Sequence, residues 1–330
     1  MTVSRILAVK GRAVITASRR VDEDRPTAVF RQNGPDEVPR GGVGVPGPDV
    51  VEQDDVETVL QPGCHRVPQV LVAAEAVRET VAMVQIAEEL GFNRFWVAEH
   101  HSIKAFGGSA PEILIAAMTQ VTKRIRLGSG GVMLPNYSPL KVAEQFLVLE
   151  ALAPGRIDLG VGRAPGSDGR TAQLLNPDRN ASERFPQQVM ELQAWVKGQN
   201  LPPSHPGHNV YAYPQSDTAP EVWMLGSSDY GAQLAAHLGL PYAFAYFITD
   251  GQGADEALQI YRETFRPSAA LAKPAATVCV WALAADTDEE AMRLFESRAR
   301  WKMDRNLGRI GALLPPEEAA RDYSPAEQFA

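Results

Sequence analysis

Apolar residues recur at helical spacing from Ala73 to Leu90, at Val77, Val81, Val84, Ala87 and Leu90, and Gly91 follows as a stop. The next apolar run, Phe95 to Ala98, predicts a short buried strand ending in Glu99-His100-His101. The two patterns then alternate. Helices are predicted over Pro111 to Val121, with Pro111 in the first turn, over Ser138 to Ala151, and near Ser182 to Lys197. Further helices follow over Tyr230 to Leu238, Gly253 to Phe265 and Thr287 to Trp301. The intervening strands are Ile125 to Leu134, Arg156 to Val161, Val222 to Leu225, Tyr242 to Phe247 and Thr277 to Ala284. Short, wholly apolar strands are expected where both faces are covered. Strict strand–helix alternation predicts an all-parallel sheet, either a closed (β/α)8 barrel or an open doubly wound sheet. No G-x-G-x-x-G follows the first strand, and Gly160-Val161-Gly162 lacks the third glycine.

Residues 1–66 break this pattern. They are crowded with Arg, Asp, Pro, Gly and Val, and carry few large apolar side chains, so a loose or disordered arm is expected there. The whole chain has 330 residues, 45% hydrophobic and 22% charged, which is ordinary globular composition. With 40 acidic against 32 basic residues the net charge is −8 and no basic stripe is present, which argues against nucleic acid as a partner. No apolar run approaches the roughly 18 residues of a membrane helix, and no secretion signal is read at the N-terminus. Cys64 and Cys279 are the only cysteines, too few for a disulfide framework or a Cys-built zinc site. Two unpaired thiols fit a reducing cytoplasm.

The residues that break local pattern gather where strands end. Glu99-His100-His101 closes one strand, Gly128-Ser129-Gly130-Gly131 interrupts the next, Gly162-Arg163-Ala164-Pro165-Gly166-Ser167-Asp168 closes a third, and Gly226-Ser227-Ser228 a fourth. In a parallel barrel these ends open on one face, and that face carries the site. The His pair reads in three ways: metal ligands, rings satisfied by loop hydrogen bonds, or imidazoles lining a ligand pocket. Adjacent strand residues point to opposite faces and no H-E-x-x-H spacing occurs, which disfavours metal. A lining imidazole suits proton transfer near neutrality. The glycine run signals a strand break, a bulge or the approach of a flat ligand to the backbone. Arg163 beside Ser227, Ser228 and the following helix N-terminus makes an anion site, with plain N-capping by the serines as the alternative.

Four ordered stretches, AEELGFNRFWVAEHH, RIRLGSGGVMLPNYSPLKVAEQFLVLEALAPGRIDLGVGRAPGSD, PEVWMLGSSDYGAQLAAHLGLPYAFAYF and AADTDEEA, resemble the bacterial-luciferase-like family of flavin-dependent monooxygenases. The likeness runs from about Ala73 to Arg300. It implies a TIM barrel that binds reduced FMN, supplied by a separate flavin reductase, and uses O2 to oxidise a small organic substrate. Some members use the deazaflavin F420 instead, and a second copy of the chain is a further partner the resemblance allows. Residue by residue, His100 matches the family's active-site histidine beside the flavin, with Glu99 and His101 around it as substrate-contacting or supporting groups. Gly130-Gly131 matches a pair whose peptide bond is characteristically cis and faces the flavin ring. Arg163 matches the arginine that pairs with the FMN phosphate, and Ser227, Ser228 and Gly231 match the phosphate cradle.

The resemblance has gaps at both ends. Residues 67–73, with Pro68 among them, do not read as the family's opening strand, and the family's last strand–helix unit is not read before Ala330. The expectation is a barrel domain over 67–330 with an atypical first strand and a missing last unit. Residues 1–66 have the composition of a GC-rich gene read in a wrong frame. A non-catalytic flavin-binding protein or degenerate family member, and an F420-dependent oxidoreductase, are the rival expectations.

Overall fold

The computed structural model describes residues 69–178, 180–283, 285–309, 311–324 and 327. The expected arm over 1–66 lies outside the described residues. The first described element, helix α1, runs Gln69–Glu89, so residues 69–73 of the segment that failed to read as a strand are helical and residues 67–68 lie outside the described residues. It ends where Gly91 adopts a φ of +77°, which a side chain would resist. The Glu88 carboxylate then accepts the backbone N–H groups of Lys123, Arg124 and Ile125, fastening α1 to the start of a later strand.

Six strands follow: β1 Arg94–Val97, β2 Arg126–Met133, β3 Ile157–Gly162, β4 Glu221–Gly226, β5 Tyr242–Phe244 and β6 Ala276–Val278. Every pairing is parallel and the spatial order is the chain order, β1-β2-β3-β4-β5-β6. Between and after them run α2 Pro111–Thr119, α3 Pro139–Leu152, α4 Gly169–Leu175, α5 Phe185–Val196, α6 Asp229–Leu238, α7 Tyr246–Thr249, α8 Ala254–Thr264, α9 Asp288–Asn306 and α10 Pro316–Ala319.

Alternate strand residues separate into two faces. Phe95, Leu127, Leu159, Val161, Val222, Met224, Tyr242 and Phe244 pack with Ile115 and Met118 of α2, Phe146 of α3, Leu192 of α5, Ala235 of α6 and Tyr261 of α8 in one continuous core. Trp223, Ala243 and Cys279 on the opposite face form a second, smaller cluster with Trp96, Leu225 and Phe247. A doubly wound sheet reverses its strand order and carries helices on both faces. Sequential order with the helices on one face is the winding of a barrel, which decides between the two expected architectures.

The opposite face has its own layer. Asp158 is fully buried. Its Oδ2 accepts from Arg94 at 2.6 Å and from the Trp96 indole at 2.8 Å, and its Oδ1 accepts from the Arg126 Nε at 2.9 Å. Glu221 completes the set, 3.0 Å from Arg94 and 3.3 Å from Arg126. Four strands therefore meet through one ion network near their N-terminal ends. Above it, Trp96 and Trp223 meet edge to face at 5.2 Å.

Three differences from the expected elements have local causes. The strand predicted to reach Phe247 stops at Phe244, because Asp250 and Gly251 turn the chain at positive φ and Tyr246–Thr249 coils instead. The strand predicted over Thr277 to Ala284 forms a continuous ladder with β5 only over Ala276–Val278; past it the pairing thins to the Phe247 N–H on the Cys279 carbonyl at 3.2 Å and a single bridge at Val280, and Ala284 lies outside the described residues. Helix α4 was not read from the sequence. Asp168 caps it, accepting the N–H groups of Arg170 at 2.9 Å and Thr171 at 3.0 Å.

Candidate active site at the strand tips

The glycine run on β2 serves two purposes. A Cβ on Gly128 would stand 2.5 Å from the Asp158 carbonyl oxygen and 2.9 Å from the Trp96 ring, so this glycine makes room for the neighbouring strand's backbone and the Trp96 indole. At Gly131 a Cβ would stand 2.7 Å from the Gly160 carbonyl oxygen. The β2–β3 register shifts between Ser129 and Val132, and the peptide bond from Gly130 to Gly131 within that irregularity is cis. A bulge was one of the readings of this run.

The two histidines after β1 have different surroundings. The His100 ring stacks on Phe106 at 4.4 Å and 22°, and Phe106 meets Trp301 of α9 edge-on at 5.3 Å. Burial, with the neighbouring His101 and Arg305 charges adding to it, pushes His100 down to about 4. The ring is thus neutral at physiological pH. Its main-chain N–H is anchored on the Gly108 carbonyl at 2.8 Å.

This depression has a thermodynamic consequence. An unfolded chain takes up the His100 proton near pH 6.5, and the folded chain only near pH 4. Between those values the unfolded state binds more protons, so stability rises with pH there and is lost on acidification from about 6.5 towards 4. His100→Gln is expected to flatten that part of the stability profile, measured by urea unfolding at intervals from pH 4 to 7. An unchanged slope would remove His100 as its source.

His101 faces away from this aromatic stack. Its Nε2 lies 2.7 Å from Glu99 Oε1 and 3.3 Å from the Tyr137 hydroxyl, and its main-chain N–H donates to Gly166 in the loop after β3 at 3.0 Å. Tyr137 was not singled out from the sequence. It sits in a Pro-Asn-Tyr-Ser-Pro stretch that reads as a loop, and only the fold carries its hydroxyl to Glu99, 38 positions away.

The Arg163 guanidinium lies over the Tyr230 ring at 4.1 Å, which sets it beside the first turn of α6. No carboxylate pairs with Arg163 among the described residues. Ser228 occupies the N-cap position of α6 in extended conformation, yet its hydroxyl caps nothing. Plain N-capping therefore does not account for it, and the hydroxyl remains available beside the helix's free N–H groups. Asp229 in the same turn is an exposed carboxylate. Gly231 is buried against Gly226, and a Cβ on it would meet Gly226 and Tyr242 only at 3.5 Å. The structure thus brings Arg163 to the helix that follows Ser227 and Ser228, and gathers Glu99, His101 and Tyr137 at neighbouring strand tips. No group of three or more His, Cys, Asp or Glu side chains able to hold a metal occurs among the described residues.

A singly wound parallel α/β sheet with its polar and glycine-rich segments gathered at the strand ends defines a protein of the (β/α)-barrel class. The chain belongs to the luciferase-like monooxygenase family, whose model matches residues 59–328. It is 46% identical over 260 residues to the uncharacterized protein YwcH of Bacillus subtilis (strain 168), covering 78% of this chain and 77% of that one. It is 42% identical over 266 residues to the luciferase-like monooxygenase of Escherichia coli (strain K12), covering 80% and 77%. Among solved structures, apo-MsnO8 superimposes with a TM-score of 0.68 at 35% identity, over 78% of this chain and 77% of that one. Among the described residues no helix is long and apolar enough to cross a membrane.

Proposed function

We propose that this chain is a flavin-dependent monooxygenase that uses reduced FMN and O2 to oxidise a small organic substrate. The observation that carries the reading is the convergence of uncommitted donors at the start of α6: the Arg163 guanidinium without a carboxylate partner, and the Ser228 hydroxyl that does not cap its own helix. With Ser227 and the first N–H groups of α6 they suit a phosphate dianion. Arg163, Ser227, Ser228 and the backbone at Gly231 would hold the FMN phosphate, and Gly130-Gly131 would back the flavin ring. The flavin supplies the electrons that activate oxygen.

The residues of this chain do the rest. Trp96, Trp223, Leu225 and Phe247 give the opposite face of the sheet an apolar lining that excludes water. His100, neutral and fixed on Phe106, acts as a hydrogen-bonding group at the reacting centre and not as a cationic acid. A flavin reductase would supply the reduced cofactor.

Arg163→Ala is expected to weaken FMN binding about ten- to hundredfold, the loss of a charge-assisted hydrogen bond worth roughly 1.5–3 kcal/mol. Riboflavin, which has no phosphate, should bind the variant almost as it binds the parent. Fluorescence-quenching titrations with both flavins check this, and equal losses would take Arg163 out of the phosphate site. An F420-dependent reaction is the competing reading on the same scaffold. Competitive titration of FMN against F420 tests the proposal, with FMN expected to win; preferential binding of F420 would overturn the FMN assignment.

A further inference from the structure

Helix α9 reaches across the strand tips between the two outermost strands of the sheet, β1 and β6. On the β1 side Trp301 meets Phe106 edge-on at 5.3 Å, and Phe106 stacks on His100. On the β5–β6 side Lys302 pairs with Asp250, which follows α7. There the Arg298 guanidinium also lies over the rings of Trp281 at 5.0 Å and Phe295 at 5.3 Å. Trp281 in turn meets Phe247 at 5.9 Å, and Phe247 packs on the cluster of Trp223, Ala243 and Cys279. Residues 298, 301, 302 and 305 recur at three- and four-residue spacing, so one face of α9 is turned to these tips. Its remaining side chains pair elsewhere: Arg300 with Asp304, and Glu296 with the Tyr323 hydroxyl.

The face turned to the tips is short of negative charge. It presents Arg298, Lys302 and Arg305 against one paired carboxylate among the described residues, Asp250. Lys302 holds that carboxylate closely. Arg298 reaches it only at 3.7 Å, beyond hydrogen-bond length, and the buried Nε of Arg298 has no partner. Arg305 has the Asn306 side-chain oxygen at 3.4 Å and no carboxylate among the described residues. Burial pulls the Arg298 guanidinium below its ordinary range; Asp250 opposes the fall and the Arg305 charge adds to it. The Arg305 charge also bears on His100, so Arg305 stands near both groups. A chain of net charge −8 thus gathers uncompensated positive charge over its strand tips, a field that attracts anions. A guanidinium whose face rests on aromatic rings keeps its N–H groups for a planar or forked acceptor.

We propose that Arg298 and Arg305 of α9 form a subsite for the acidic group of the substrate, which makes the substrate a small organic anion, a carboxylate or sulfonate on an apolar chain. The apolar part then runs towards Phe247 and the cluster beneath it. The arginines act by binding and orienting the anion, and no proton or electron passes through them. The word substrate rests on the monooxygenase reading; the anion subsite does not.

The test is calorimetric binding of matched probes to the full chain, with and without FMN. The probes are butanoate, hexanoate and octanoate, the sulfonates of the same lengths, and the corresponding neutral amides. At low ionic strength at least one anion should bind about tenfold or more tightly than its amide, and added salt should shrink the gap. The carboxylate and sulfonate arms tell the two acidic groups apart. Amides that bind as tightly as the anions at every length, or no binding by any anion, would overturn the proposal whether or not any variant folds. Arg298→Gln and Arg305→Gln should each weaken the anion about tenfold and leave the amide unchanged. Asp250→Asn separates a subsite from a mere latch. It removes the carboxylate that fastens α9 but keeps both arginines, so anion binding should hold or tighten. A loss there as large as in Arg298→Gln would mean that Arg298 only fastens α9, and would overturn the proposal. So would arginine variants that weaken FMN and leave the anions unaffected. Anion binding by a chain that takes up no FMN would count against the monooxygenase reading alone.

Discussion

His100→Ala is expected to lower product formation by about 10²–10³-fold while leaving FMN binding within a few-fold of the parent, the loss typical of one preorganised hydrogen-bonding group. The expectation follows from where the ring sits. It is anchored through its main-chain N–H to Gly108, stacked on Phe106, and covered through Phe106 by Trp301 of α9. Such a ring is preorganised and costs little to orient during reaction. Removing it leaves Arg163 and Ser228, the proposed phosphate cradle, untouched, so binding and turnover should separate. Reduced flavin should still consume oxygen, and hydrogen peroxide released per flavin oxidised should rise. Stopped-flow oxidation of reduced FMN, read against product yield and peroxide, measures all of these. Full coupled turnover in the variant would show that His100 is only a packing residue.

Asp158→Ala is expected to produce the largest loss of stability of any single substitution in the sheet. The side chain is fully buried and serves Arg94, Trp96 and Arg126 together. Without it, two guanidinium groups that are 19% and 27% exposed keep only the partly exposed Glu221 as counter-charge. Breaking such a pair from one side costs about 3–5 kcal/mol, and the stranded Trp96 N–H adds roughly 1–3 kcal/mol. That is a large share of the roughly 5–15 kcal/mol that holds a typical domain together. The urea midpoint should drop sharply, or the variant should fail to fold. A midpoint within the range of a surface substitution would mean that the network near the N-terminal ends of the strands is not what joins β1 to β4. Replacing both partners, as in Arg94→Met with Asp158→Leu, should recover part of the loss, because apolar groups of similar volume can stand in for a buried ion pair.

The alternation of strands and helices along the chain was legible in the sequence because each element is written locally. The apolar runs at Phe95, Ile157 and Val222, the stop at Gly91 and the proline opening α2 each act within a few residues. The choice between barrel and doubly wound sheet was not local, since it depends on which face each helix covers. The site divides in the same way. His100, Arg163 and the serines stand out as polar residues at strand ends. Tyr137 and Asp158 do not: one lies in a loop-like stretch and the other inside an apolar strand, and each acquires meaning only from residues more than 30 positions away. Gly128 carried a mixed message. Its run read as a strand break, a bulge or the approach of a flat ligand, and at Gly128 the Cβ space is filled by Trp96 and Asp158 of the protein itself.

The central claim, that the strand-tip site is a cradle for FMN, stands or falls on the phosphate. The direct measurement is equilibrium binding of FMN and riboflavin to the purified full chain, followed by flavin fluorescence at fixed ionic strength. The two ligands share the ring and the ribityl chain and differ only in the phosphate that Arg163, Ser227 and Ser228 are proposed to hold. FMN is predicted to bind about ten- to hundredfold more tightly than riboflavin, and the difference should shrink in Arg163→Ala. Equal affinity for the two flavins, or no flavin binding by a chain that unfolds cooperatively, would contradict the account.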